Sequence, residues 1–211
     1  MALTNYEGLN ALQLDALREI GNIGSGNAAS ALSTMLDYPV TIAVPAIKIL
    51  DYDAVVQSLG GPEQLLVGIL LSMSGDATGM IMFLLHKEFV SMALSTLTGV
   101  SFDIDATEDE MSLSAIREIG NIMAASYVTA MSEFTGLNIK VTVPSLCIDM
   151  AGSILSVPTI YYANISDKII LIEDEFNSAG EGEKKLPSSH ILLIPDVESL
   201  KKIMASLGLD E

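Results

Sequence analysis

Asp15-Ala16-Leu17-Arg18-Glu19-Ile20-Gly21-Asn22 returns 99 residues later as Ser114-Ala115-Ile116-Arg117-Glu118-Ile119-Gly120-Asn121, and the same offset carries Pro45 to Pro144. A fixed internal period says that one structural unit was built twice. The chain therefore reads as two related halves of one domain, about residues 1–104 and 105–211, each opening with this element. Between Ala16–Ile23 and Ala115–Ile122, seven of eight residues are identical.

A helix turns by about 100° per residue, so residues i, i+4 and i+7 share one stripe. Asp15, Glu19 and Asn22 then lie together, and Gly26 continues their line. Leu17, Ile20, Gly24, Ala28, Ala31 and Met35 fall on the opposite, core-facing side. In the second copy Ile116, Ile119, Met123, Tyr127, Ala130 and Phe134 take the buried side. Ser114, Glu118 and Asn121 point outward, and the small Ala125 stands where the first copy has Gly26. A helical glycine costs about 1 kcal/mol relative to alanine. Gly24 and Gly26 therefore call for a reason: close packing of the helix on a sheet at Gly24, or close approach of a partner at Gly26 and Ala125.

Half of the 211 residues are hydrophobic, ample for a core. The net charge of −17 argues against nucleic-acid binding and against docking on anionic lipid, both of which need clustered Lys and Arg. The single Cys147 cannot form an internal disulfide, and no charged-then-apolar leader is read in Met1 to Asn10, so a cytoplasmic location is expected. The apolar run Leu65 to Leu85 is long enough to suggest a membrane span. Turn residues and a charge at Ser72 to Gly79 divide it into a hairpin instead.

In order, the first half reads as a long helix over residues 8–36, a strand Val40 to Leu50 with Pro45 marking an edge or a bulge, and a short helix Asp53 to Gly60. The hairpin Gln64 to Met73 and Thr78 to His86 follows, then a helix Lys87 to Leu97. The second half repeats this plan. The acidic run Thr107 to Glu110 leads a helix to about Phe134, Leu137 to Asp149 is a strand, and Met150 to Tyr161 is a short helix interrupted by Pro158. Lys168 to Glu175 and Ser189 to Pro195 form the hairpin, with a longer loop over Phe176 to Ser188, and Asp196 to Leu207 is a closing helix. Each half has one apolar helix face to bury, so the expected fold is α+β: a continuous antiparallel sheet of about six strands flanked by two long helices and shorter ones.

Gly21-Asn22-Ile23-Gly24-Ser25-Gly26 is not a phosphate loop, since it lacks the glycine order, a preceding strand and the Lys-Ser/Thr pair. His86 and His190 sit at strand ends with no second ligand in sequence reach, so no intrinsic metal site is expected. The same scarcity argues against Ser-His or Cys-His nucleophilic catalysis, and Cys147 reads as a core residue. Arg18 and Arg117 read as solvated helix charges. A displayed Glu-x-x-Asn is usually only a polar helix face, but its exact duplication weakens that account. A carboxylate and a carboxamide without nucleophile, base or metal make an incomplete active site, one that could complete another protein's.

These residues resemble the CheC, CheX and FliY phosphatase family of chemotaxis. Its motif is Asp or Ser, three residues, Glu, two residues, Asn, twenty-two residues, Pro. Asp15-Glu19-Asn22-Pro45 and Ser114-Glu118-Asn121-Pro144 fit it twice in register, and the resemblance covers essentially the whole chain. The resemblance implies a continuous antiparallel sheet flanked by the two motif helices and hydrolysis of the aspartyl phosphate on the response regulator CheY. It implies catalytic roles for Glu19, Asn22, Glu118 and Asn121, support from Asp15, Ser114, Pro45 and Pro144, and approach of CheY over Gly26 and Ala125. It implies no cofactor of the chain's own, the Mg²⁺ belonging to CheY, and regulation by the deamidase CheD, docking near Asp149. The alternative is a binding module without turnover, a flagellar-switch or CheD-docking scaffold whose motif helices only contact a receiver domain; the flagellar switch or the receptor array is a further expected partner.

Overall fold

The computed structural model describes residues 5–99, 110–162, 168–178 and 189–210. The first long helix, α1 (Ala11–Leu36), starts at a reciprocal cap: the Gln13 amide donates to Asn10 Oδ1 at 3.0 Å, and the Asn10 amide donates to Gln13 Oε1 at 2.9 Å. Two amides that a helix start would leave open are thereby satisfied. The helix stops where Asp37 turns left-handed at φ 48°, two residues before Pro39. Then come β1 (Val40–Asp51), α2 (Tyr52–Ser58), β2 (Leu65–Gly75), β3 (Gly79–His86) and α3 (Lys87–Thr98). The second half supplies α4 (Glu110–Thr135), β4 (Ile139–Val141), β5 (Ser145–Met150), α5 (Ala151–Tyr162), β6 (Lys168–Ser178), β7 (Ser189–Pro195) and α6 (Val197–Ser206). Residues 107–109 of the acidic run and 179–188 of the expected loop lie outside the described residues.

Among the described residues, seven strands form one antiparallel sheet in the order β1-β6-β7-β3-β2-β4, with β5 also on β2. The pairing is an exchange between the halves. The hairpin strands β3 and β7 meet at the centre, with Phe83 opposite Ile191. Each half then lends its first strand to the other half's hairpin: β1 pairs with β6, Ile47 opposite Ile172, and β5 pairs with β2, Val67 opposite Ile148. The strand β7 is buried along its whole length, as the middle of a covered sheet should be.

The strand count exceeds the expected six because the second-half strand breaks in two. Pro144, buried at the break, has no amide to give to a ladder. Thr142 bridges the gap: its Oγ1 accepts from the Ser72 amide at 3.1 Å and its own amide donates to Ser72 O at 3.0 Å. In the first half the equivalent Pro45 falls where the β1–β6 register shifts between Ala43 and Ala46, on the edge strand; its side chain lies outside the described residues. Pro158, within α5, does not stop that helix.

The two motif helices pack against each other as well as against the sheet. A Cβ at Gly24 would lie 2.9 Å from the Tyr127 ring and 3.1 Å from Tyr127 Cα, so the absent side chain is what lets α4 approach α1. Sequence reasoning assigns Gly24 to helix-on-sheet packing; the structure assigns that role to Gly120, whose Cβ would meet Ile69 of β2 at 2.6 Å. The Tyr127 ring also stands edge-on to Phe83, centroids 5.8 Å apart.

Beneath this contact the core contains three polar groups from three elements. Tyr127 donates from its hydroxyl to Asp174 Oδ2 at 2.7 Å, and the Ser25 hydroxyl lies within hydrogen-bond reach of both Asp174 Oδ1, at 3.2 Å, and the Tyr127 hydroxyl, donating its single proton to one of them at a time. All three side chains are buried. Burial pushes the Asp174 carboxyl up from 3.8 to about 7, while the hydrogen bonds from Tyr127 and Ser25 pull it down. Burial, and then the charge of Asp174, push the Tyr127 phenol well above its ordinary value.

A carboxyl whose native pKa is raised keeps a proton that the unfolded chain releases. Its contribution therefore favours folding below the unfolded value of about 4 and is lost as pH rises through about 7. Relative to Asp174→Asn, which has nearly the same shape and cannot ionise, the wild type should lose on the order of a few kcal/mol between about pH 4 and pH 7. Urea unfolding of both proteins across that window checks this; a stability difference independent of pH would contradict the assignment.

Candidate functional site

Every position of the outward stripe is where the helical reading puts it. Asp15, Glu19, Asn22 and Gly26 are exposed along α1, and Ser114, Glu118, Asn121 and Ala125 are exposed along α4. Behind them Leu17, Ile20, Gly24 and Ala28, and Ile116, Ile119, Met123, Tyr127 and Ala130, are buried. Toward the helix ends the expected core stripes drift: Leu32 and Leu36 are buried where Ala31 and Met35 are only partly so, and Phe134 is exposed. A straight α-helix rotates a fixed stripe away over several turns.

A Cβ built on Gly26 meets nothing within 4 Å, so packing within the chain does not demand glycine there. Open space beside Asn22 and small side chains at both equivalent positions leave room for a second surface to come close. The two copies differ in charge: Arg18 Nη2 donates to Asp15 Oδ1 at 2.8 Å across an exposed pair, whereas Ser114 offers Arg117 no carboxylate. An exposed pair of this kind adds little stability, so Arg18 and Asp15 remain open to exchange partners.

One sequence expectation needs correction. Cys147 is exposed on β5 instead of buried, because Ser145, Cys147 and Asp149 alternate on the solvent side of that strand. Its Sγ contacts Gly68 O at 3.6 Å, and desolvation, then Asp149, push the thiol up, which disfavours the thiolate. The histidines, distant in sequence, come together through the register of β3 and β7, with ring centroids 6.1 Å apart. Burial lowers both, His190 to about 4, so both imidazoles are neutral near pH 7. Among the described residues no group of three His, Cys, Asp or Glu side chains is arranged to hold a metal ion.

The sequence gives no hint of the Ser25–Tyr127–Asp174 cluster, since a lone Asp within a strand carries no signal of which helix will donate to it. Asp149 is exposed next to α5, opposite Leu66 in the ladder. A groove of about 580 Å³ lies between α2 and α5, and Met150, Val157, Ile160 and Tyr161 add exposed apolar surface on that side. Among the described residues no helix is long and apolar enough to cross a membrane, and Leu65 to Leu85 forms the β2–β3 hairpin.

Comparison with known proteins falls on the same features. The model of the CheC-like family matches residues 12–49 and 111–148, two segments in the register of the internal repeat. The CheY-P phosphatase CheC of Bacillus subtilis is 34% identical over 206 residues, spanning 96% of this chain and 97% of that protein. The flagellar motor switch phosphatase FliY of the same organism is 27% identical over 67% of this chain and 37% of its own length. Among solved structures, Thermotoga maritima FliY superposes with a TM-score of 0.73 at 23% identity, covering 97% of this chain and all of that one. A chain of the FliG-FliM complex from H. pylori shares the fold, with a TM-score of 0.67 at 14% identity over 91% of this chain and 98% of that one. With a near full-length relative at this identity and the motif segments matched twice, the chain belongs to the CheC-like family.

Proposed function

We propose that this chain is a protein phosphatase that hydrolyses the aspartyl phosphate of a CheY-type response regulator, using Glu19 and Asn22 on α1 and Glu118 and Asn121 on α4. The observation that carries this reading is the duplicated, solvent-facing Glu-Asn pair on helices whose opposite sides are fixed in the core. The activity in the name of the Bacillus subtilis CheC relative supports it.

An acyl phosphate is already activated toward hydrolysis. What it lacks is a water held in line with phosphorus, and positioning with electrostatics dominates phosphoryl transfer. A carboxamide has both a donor and an acceptor, so Asn22 and Asn121 orient that water without acting as bases. Glu19 and Glu118 engage the regulator's phosphate-contacting lysine and fix the register. Asp15 and Ser114 support the stripe from the preceding turn, Pro45 and Pro144 shape the strands that follow, and Gly26 and Ala125 admit the regulator's surface. The Mg²⁺ of the reaction belongs to the regulator, and the phosphatase works in the cytoplasm. Control by CheD would act at Asp149 and the exposed apolar surface of α5.

Replacing both asparagines, Asn22→Ala with Asn121→Ala, should lower the dephosphorylation rate by roughly 10²–10³ while regulator binding stays near wild type, since a lost positioned polar group costs about 2.7–4 kcal/mol in such steps. Near-normal turnover by the double variant would refute the role given to the amides.

The two stripes lie on separate helices, so Glu19→Ala/Asn22→Ala and Glu118→Ala/Asn121→Ala should each leave the other copy working, with losses that combine independently. Thermal melts should barely move, because exposed helix substitutions usually change stability by less than about 0.5 kcal/mol. If one double variant were as inactive as the quadruple while still folded, a single composite or dominant site would replace the two.

Chelation should stop phosphorylation of the regulator and leave this protein's own melting temperature unchanged. A large chelator-induced drop would reveal a metal held by the chain.

A further inference from the structure

Each motif stripe begins with a large apolar side chain that the fold leaves in solvent. Leu12 is 67% exposed near the start of α1 and Met111 is 70% exposed near the start of α4. These two positions are 99 residues apart, the spacing of the repeat. A single exposed leucine needs no explanation. Two exposed at the same position of a duplicated unit, beside an otherwise polar stripe, do need one. Their immediate neighbours behave normally: Gln13 and Ser112, also an equivalent pair, are both buried.

The placement is specific to the site. Leu12 precedes Asp15, Glu19, Asn22 and Gly26 by three, seven, ten and fourteen residues, spacings that keep all five within about 80° on a helix. Met111 stands in the same relation to Ser114, Glu118, Asn121 and Ala125. Each stripe thus has an apolar end, a polar middle and an open small-residue end, and spans about 21 Å of helix. That length suits one side of a compact protein footprint, in which a buried apolar anchor supplies much of the affinity and polar groups set the register.

We propose that Leu12 and Met111 are apolar anchors for the same phosphorylated regulator that the motif serves, one per site. This rests on the phosphatase reading for the identity of the partner. The assignment separates binding from chemistry: the anchors hold the regulator, and the asparagines act on its phosphate.

The test pairs Leu12→Ala/Met111→Ala with the swap Leu12→Met/Met111→Leu. The alanine pair should raise KM for the phosphorylated regulator about tenfold or more with kcat unchanged, as losing a buried aliphatic anchor implies, and the swap should restore it. Melting temperatures should match the wild type. Binding of the isolated regulator domain carrying beryllofluoride on its acceptor aspartate should weaken by the same factor, measured in the Asn22→Ala/Asn121→Ala background where catalysis plays no part. Unchanged KM and unchanged binding would overturn the proposal, as would a fall in kcat alone. Failure of the phosphatase reading would look different: no turnover by the wild type, with beryllofluoride-regulator binding still measured independently and still deciding whether the anchors act.

Discussion

The exchange of first strands between the two halves is the constraint on which the rest depends. Because β1 completes the β6–β7 hairpin and β5 completes the β3–β2 hairpin, neither half encloses a sheet by itself. The shared sheet carries both long helices, and their apolar sides are committed to it and to each other. The face that remains is the one bearing the acid and the amide. Display of the motif is thus a by-product of how the core is filled, and small groups at the helix contacts make it possible: Gly24 admits Tyr127, and Gly120 admits Ile69.

The same arrangement explains how a chain with so little chemistry of its own can act. The stripes are mounted on helices held by hydrophobic packing and by the buried Ser25–Tyr127–Asp174 cluster, which ties α1, α4 and β6 at one point. Rigidity is what a water-positioning amide needs, since its contribution comes from geometry that is set before the substrate arrives. A net charge of −17 makes long-range attraction of a phosphorylated acidic pocket an unpromising means of recruitment. On the proposed reading, short-range contacts would then hold the regulator: a carboxylate on a lysine, an apolar anchor, and the open approach beside Gly26.

Much of this was legible from residues alone. The 99-residue period locates both motif helices, the wheel separates exposed Glu19 and Asn22 from buried Leu17 and Ile20, and Ser72 to Gly79 divides a seeming membrane span into a hairpin. What stayed hidden depends on pairing between distant segments. No local pattern says that β1 joins β6, that Asp174 lies under Tyr127, or that His86 meets His190. Cys147 misled because an apolar edge strand with one solvent face resembles a buried strand over so few residues. Gly24 reads as a packing glycine, but whether a helix or a sheet fills the space is decided by the tertiary fold.

The most direct test of the central claim is a time course of phosphate release from a phosphorylated CheY-type regulator with this protein well below stoichiometric amounts. The account predicts many equivalents of phosphate released per protein molecule, at a rate proportional to its concentration. Release that stops at or below one equivalent, or a rate no faster than the regulator's own autodephosphorylation, would contradict it and leave a binding surface in place of an enzyme.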